Sequence, residues 1–193
     1  MTKTIVSATS PQRTAKLKEN FLLCIEDCDR IGVPYGNIVD IKENTRAKSR
    51  WGCCKPRMNS HTGETEFHLE ISSELLGEDA PLNGLRETIL HEICHTVEGG
   101  HGHTGEWLRW AKELNRAYGY NIKRTNSAED KGFTKEQSRE MARKNHPKLF
   151  SPVSYTIRCV NCGHAYSRKV KSKIIQHPER YRCGVCSGEL KRV

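Results

Sequence analysis

Two histidines four residues apart, His91 and His95, with Glu92 directly after the first, constrain this chain more than any other feature. Side chains at i and i+4 lie one above the other on a helix, so both rings can serve one centre only if this segment is helical. The flanks support that: Leu82, Leu85, Ile89, Ile93 and Val97 recur at spacings of three and four, giving a stripe that packs beside an edge that faces a site. A helix over 82–97 is expected, stopped by Gly99-Gly100. Both imidazoles can then approach one metal at about 2.0–2.1 Å, and zinc suits such ligands. Glu92 is placed to act as general base on water activated at the metal, without ligating it.

A chain reversal after His95 lets a third ligand return. His101 has the spacing of the metzincin pattern, but Glu98 stands where that pattern needs glycine, and Met141, in a charged segment, is no Met-turn. His103 opens His103-Thr104-Gly105-Glu106-Trp107 at the mouth of a second helical stripe (Trp107, Leu108, Ala111, Leu114, Tyr118), expected over about 104–118. His103 is the preferred third ligand and His101 its rival.

Cys159-x-x-Cys162 and Cys183-x-x-Cys186 are separated by 20 residues, the spacing of a structural four-thiolate zinc site. About 40 residues can scarcely build a sufficient core, so zinc is expected to supply the folding energy here. Tyr155 to Cys159 and Arg180 to Cys183 both read as short strands entering a knuckle, as in a zinc ribbon. Among the remaining cysteines, Cys24 and Cys28 continue an apolar helix face and Cys94 reads as a packed thiol. Cys53 and Cys54 point to opposite faces of a strand.

The net charge of +9 is unevenly spread. Residues 1–122 hold 15 Lys/Arg against 17 Asp/Glu, whereas residues 123–193 hold 17 against 6, a net of +11. Such asymmetry points to an electrostatic partner such as nucleic acid, or to a solubilising face. Basic residues Arg158, Arg168, Lys169, Lys171, Lys173, Arg180 and Arg182 surround the cysteines, with Tyr166 and Tyr181 as candidates for stacking on bases; for Tyr181 a place in the module's small core is preferred. Only 35% of residues are hydrophobic, and no apolar run approaches the ~20 residues of a membrane span. With no apolar stretch of a secretory signal at its start, the chain is expected in the cytoplasm, as a monomer, where its nine cysteines serve as ligands or free thiols.

Ser10-Pro11 starts a helix whose apolar face is Leu17, Phe21, Cys24, Ile25 and Cys28, ended by Gly32 and Pro34. Strands are expected over 37–42, near 50–54, and over 66–71, where His68 faces away from Phe67 and Leu69. From Lys123 the composition turns polar and basic, with a short helix over 135–144 before Pro147 and Pro152. The expected organisation is an α+β metal-binding domain over 1–122, a basic linker or arm over 123–152, and a four-cysteine module over 153–193.

His91-Glu92-x-x-His95 followed by His103-x-Gly105-Glu106-Trp107 resembles the SprT-like metalloproteases. Asn44 to Gly52 resembles the strand region before that family's zinc helix, and Phe67 to Ser72 its next strand. The resemblance covers most of residues 10–193, the four cysteines being similar to the zinc ribbon such proteins commonly carry. It implies a small zincin-like fold followed by a zinc ribbon, with one catalytic and one structural zinc. It further implies hydrolysis of proteins bound or crosslinked to DNA, contact with DNA through the ribbon, and nucleoid association when DNA is bound. The rival is a non-catalytic DNA-binding adaptor in which both zincs are structural; such a site has no need of Glu92.

Overall fold

The computed structural model describes residues 4–150 and 154–193. Pro152 and the expected start of the four-cysteine module at 153 lie outside the described residues. The chain divides into two compact units, Met1–Ser138 and Arg139–Val193.

In the first unit, strand β1 (Ile5–Ser7) leads into helix α1 (Pro11–Ile31). The Ser10 hydroxyl accepts the Arg13 N–H at its start, Pro11 occupies the first turn, and Gly32 closes it in the left-handed region (φ 73°). Strands β2 (Asn37–Asn44), β3 (Gly52–Met58) and β4 (Thr65–Ser72) follow, then helices α2 (Leu82–Cys94) and α3 (Gly105–Tyr118). The sheet order is β1-β2-β4-β3; β1, β2 and β4 run parallel, and β3 pairs antiparallel with β4 at the edge.

Register sorts the side chains. Ile38 pairs with Phe67 and Ile41 with Leu69, all buried, and the helices cover this apolar face. His68 lies on the opposite face, its Nδ1 3.0 Å from Asp40 Oδ2, where Glu70 also gathers Lys55, Lys42, Arg50 and Asn44. Leu85, Ile89 and Ile93 of α2 are fully buried in the core, each contributing about 1.5–3 kcal/mol.

Three expectations change here. Residues 45–51 form a loop rather than strand, because the Asn44 side-chain oxygen accepts the N–H groups of Arg46 and Ala47 and turns the chain. Helix α2 ends at Cys94, three residues early, with Thr96 and Val97 buried in the turn that follows. The first unit also continues past residue 122: Ile122, Lys131 and Phe133 are buried, and Phe133 stacks on Trp51 with ring centroids 5.8 Å apart.

Helix α4 (Lys135–Asn145) spans the division. The second unit then forms an antiparallel sheet in the order β6-β5-β7, from β5 (Tyr155–Cys159), β6 (Ala165–Arg168) and β7 (Leu190–Arg192), with a single-turn helix α5 (Lys173–Gln176). Ile157, Cys159, Ile175, Cys183 and Leu190 make its core. The second knuckle is not entered by a strand: Pro178–Arg180 is a tight turn, and only Arg182 bridges to Glu189. Without strand alternation to turn it inward, Tyr181 stays 37% exposed, whereas Tyr166 packs on the core. Among the described residues no helix is long and apolar enough to cross a membrane.

Candidate metal centre

The histidines on α2 are oriented by backbone carbonyls. The His91 Nδ1–H donates to the Lys123 carbonyl at 3.0 Å, and the His95 Nδ1–H to the Gly100 carbonyl at 2.8 Å. Each bond fixes the tautomer and leaves Nε2 with a free lone pair, the form a metal needs. Gly100 can turn so tightly because it lacks a side chain: a Cβ there would lie 2.4 Å from the Cys94 carbonyl oxygen. The same turn returns the chain to His103, whose Nε2 stands 3.1 Å from His91 Nε2. Ligand atoms of His91, His95 and His103 all lie within 4.8 Å of one another. Tetrahedral ligands at 2.0–2.1 Å would be about 3.3 Å apart, so this donor set fits zinc.

Trp107, first turn of α3 and 1% exposed, is the platform beneath all three rings, with centroids 4.8 Å from His91, 5.7 Å from His95 and 4.7 Å from His103. Its indole N–H donates to the His91 carbonyl, tying α3 to the end of α2. His101 borders the same cleft but is exposed and outside the three-histidine group. Burial, then the charges of His95 and His103, hold the His91 imidazole down at about 3, and burial also lowers His95 and His103. All three are therefore neutral at pH 7, as ligation requires.

Glu92 is 5% exposed and lies against β3. Burial pushes its carboxyl up to about 8, opposed by the charges of Lys131 and Arg50 and by the Cys54 backbone N–H directed at it. The Trp51 carbonyl accepts the Ser72 N–H, so in the antiparallel register residues 52, 54 and 56 turn their backbone groups to the free edge. Pro56 sits where no ladder bond is lost. This edge walls a cleft of about 610 Å³ that also holds Arg50, Trp51, Arg124 and the metal-site residues.

Gly52 makes the approach possible, since a Cβ there would stand 2.4 Å from Glu92 Oε1. Gly52→Ala is therefore expected to displace the carboxylate and shift the Glu92 titration followed by side-chain carboxyl ¹³C resonances, while the melting temperature stays near that of the wild type. An unchanged Glu92 titration in that variant would show that Glu92 is not held by this contact.

The four cysteines form the second donor set. Cys159 and Cys186 sulfurs are 3.5 Å apart, and Cys162 and Cys183 sulfurs 3.6 Å, near the roughly 3.8 Å edge of a zinc tetrahedron with 2.3 Å bonds. Backbone N–H groups of Cys162 and Asn161 point at Cys159 Sγ and lower its thiol. The Tyr166 hydroxyl, 3.3 Å from Cys183 Sγ, pulls that thiol down to about 6 while accepting the Gly184 N–H. Tyr166 thus commits its hydroxyl to the site while its ring, partly buried, packs on the module's core.

No sequence pattern marks Gly52, Lys123 or Lys131 as site residues. The one available signal was Phe133, the only large apolar residue between Ile122 and Met141, which marks that polar stretch as packed.

Residues 34–126, which hold the three histidines and Glu92, match the SprT-like family. No curated protein and no solved structure matches the chain.

Proposed function

We propose, on the premise that residues 34–126 form a SprT-like domain, that this protein is a zinc-dependent endopeptidase acting on proteins held on DNA. The observation that carries the reading is the convergence of three neutral imidazoles beside one buried carboxylate, at a cleft along a free strand edge. His91, His95 and His103 would hold the zinc, which supplies a Lewis acid for the scissile carbonyl and lowers the pKa of water.

An extended substrate segment would add to β3 through the outward carbonyls of Gly52 and Cys54, the Cys54 N–H being taken by Glu92, and would lay its peptide bond beside the histidines. Glu92 would take the proton from the attacking water and deliver it to the leaving nitrogen. Its raised pKa suits both transfers near neutrality. The Cys54 N–H and the fixed position of Gly52 aim the carboxylate across the cleft.

DNA as the partner rests on the second unit. Residues 139–193 carry 13 Lys/Arg against 3 Asp/Glu, a net of +10, and Arg158, Arg168, Lys169, Lys171, Lys173, Arg180 and Arg182 are all exposed. Such a surface binds phosphate backbones by releasing counterions. The test is cleavage of a basic DNA-binding protein with and without single-stranded DNA. Stimulation by DNA supports the reading; cleavage indifferent to DNA leaves a general protease, and binding of DNA without any cleavage leaves the adaptor.

A further inference from the structure

After α3 the chain runs back across α2 as a strap, residues 121–133. Glu87 Oε1 accepts the Asn121 N–H at 2.9 Å, and Glu87 Oε2 lies 3.6 Å from Lys131 Nζ, an ion pair longer than a hydrogen bond. Between these two points the Lys123 carbonyl receives the His91 Nδ1–H, and the Asn126 carbonyl receives the Trp51 indole N–H at 3.0 Å. Backbone packing closes the strap's far end, where a Cβ on Gly84 would meet the Lys131 carbonyl oxygen at 2.4 Å. Lys131 is 3% exposed and Glu87 6%.

A buried ion pair is a poor source of stability, because desolvation of both charges offsets their attraction. Here the one Glu87 carboxylate takes both ends of a segment, Asn121 by a hydrogen bond and Lys131 by the ion pair, and the Lys123 carbonyl, two residues past Asn121, touches a candidate metal ligand. Lys131 also lies beyond the residues that match the SprT-like family. We infer that Glu87 and Lys131 form a staple that holds the strap on α2 and so fixes His91 with Nδ1 protonated and Nε2 turned to the metal. They are positioning residues acting through the Lys123 carbonyl, and the inference rests on the zinc role proposed for His91. The Lys123 carbonyl is the partner directly behind the ligand; losing such a partner is worth about 10–100-fold in metal affinity, which is the loss expected when the staple no longer holds it.

The experiment compares wild type, Lys131→Met and the doubly uncharged Glu87→Gln/Lys131→Met protein. Zinc affinity is measured by chelator competition, and the His91 tautomer by imidazole ¹H–¹⁵N spectra of the metal-free chain. Wild type is expected to show a single Nδ1–H form of His91. Both variants are expected to lose it and to bind zinc at the histidine site about 10–100-fold more weakly, with the cysteine site unchanged. The double variant leaves no unpaired charge at residue 87, so it carries the test if Lys131→Met alone does not fold. Wild-type tautomer and affinity in the double variant would overturn the staple. A wild-type chain that binds zinc only at the cysteines would instead defeat the zinc reading, and the metal-free spectra would still decide whether the staple orders His91.

Discussion

Glu92→Gln is expected to reduce peptide hydrolysis by about 10²–10⁴-fold while leaving the zinc content of the protein unchanged. Glutamine has the same shape and still accepts the Cys54 N–H, so the packing against Gly52 survives. What it lacks is the ability to take a proton. Glu92 is also outside the three-histidine group, so its loss removes no ligand. Cleavage measured on a single peptide bond, beside metal analysis of the same sample, separates chemistry from binding. Undiminished turnover would eliminate Glu92 as the base, and loss of zinc would make it structural.

The second large effect is expected in residues 155–192. Their apolar core is five residues, two of them the cysteines Cys159 and Cys183, and a core that small does not hold a fold of three short strands. Zinc bound by four thiolates supplies about 10–16 kcal/mol, which becomes folding free energy. Cys183→Ser should therefore unfold the ribbon as a whole, with loss of amide protection from β5 to β7. Protection in α1, α2 and the four-stranded sheet should persist, because Leu17, Ile41, Leu69, Leu85 and Ile89 form a core that contains no metal ligand. Protected ribbon amides in the Cys183→Ser protein would mean that side-chain packing, not metal, folds this unit.

What could be read from the sequence follows from how each feature is encoded. Helix α2 and its histidines were legible because period, spacing and the glycines after His95 are local. The preference for His103 over His101 rested on Glu98 in place of the metzincin glycine, on the missing Met-turn and on a helix mouth with Trp107 four residues on, and the structure packs Trp107 against all three rings. The knuckles were legible for the same reason, since each is a four-residue pattern. The strap was not: it is held by the Lys123 carbonyl on His91, by the Asn126 carbonyl on Trp51 and by an ion pair to Glu87, 44 positions before Lys131, and none of these leaves a periodic trace. Sheet order was equally hidden. Nothing local announces that β4 inserts between β2 and β3, yet that insertion puts β3 at the edge beside Glu92. Tyr181 was misread because Pro178–Arg180 turns where a strand was expected.

The central claim is that His91, His95 and His103 hold a hydrolytic zinc. Zinc stoichiometry of the wild type, His103→Ala and His101→Ala proteins tests it most directly. Two zinc ions per wild-type chain, one after His103→Ala and two after His101→Ala would agree with the geometry, with cleavage lost only in the His103 variant. A wild-type chain holding one zinc, or loss of zinc on changing His101 and not His103, would contradict it.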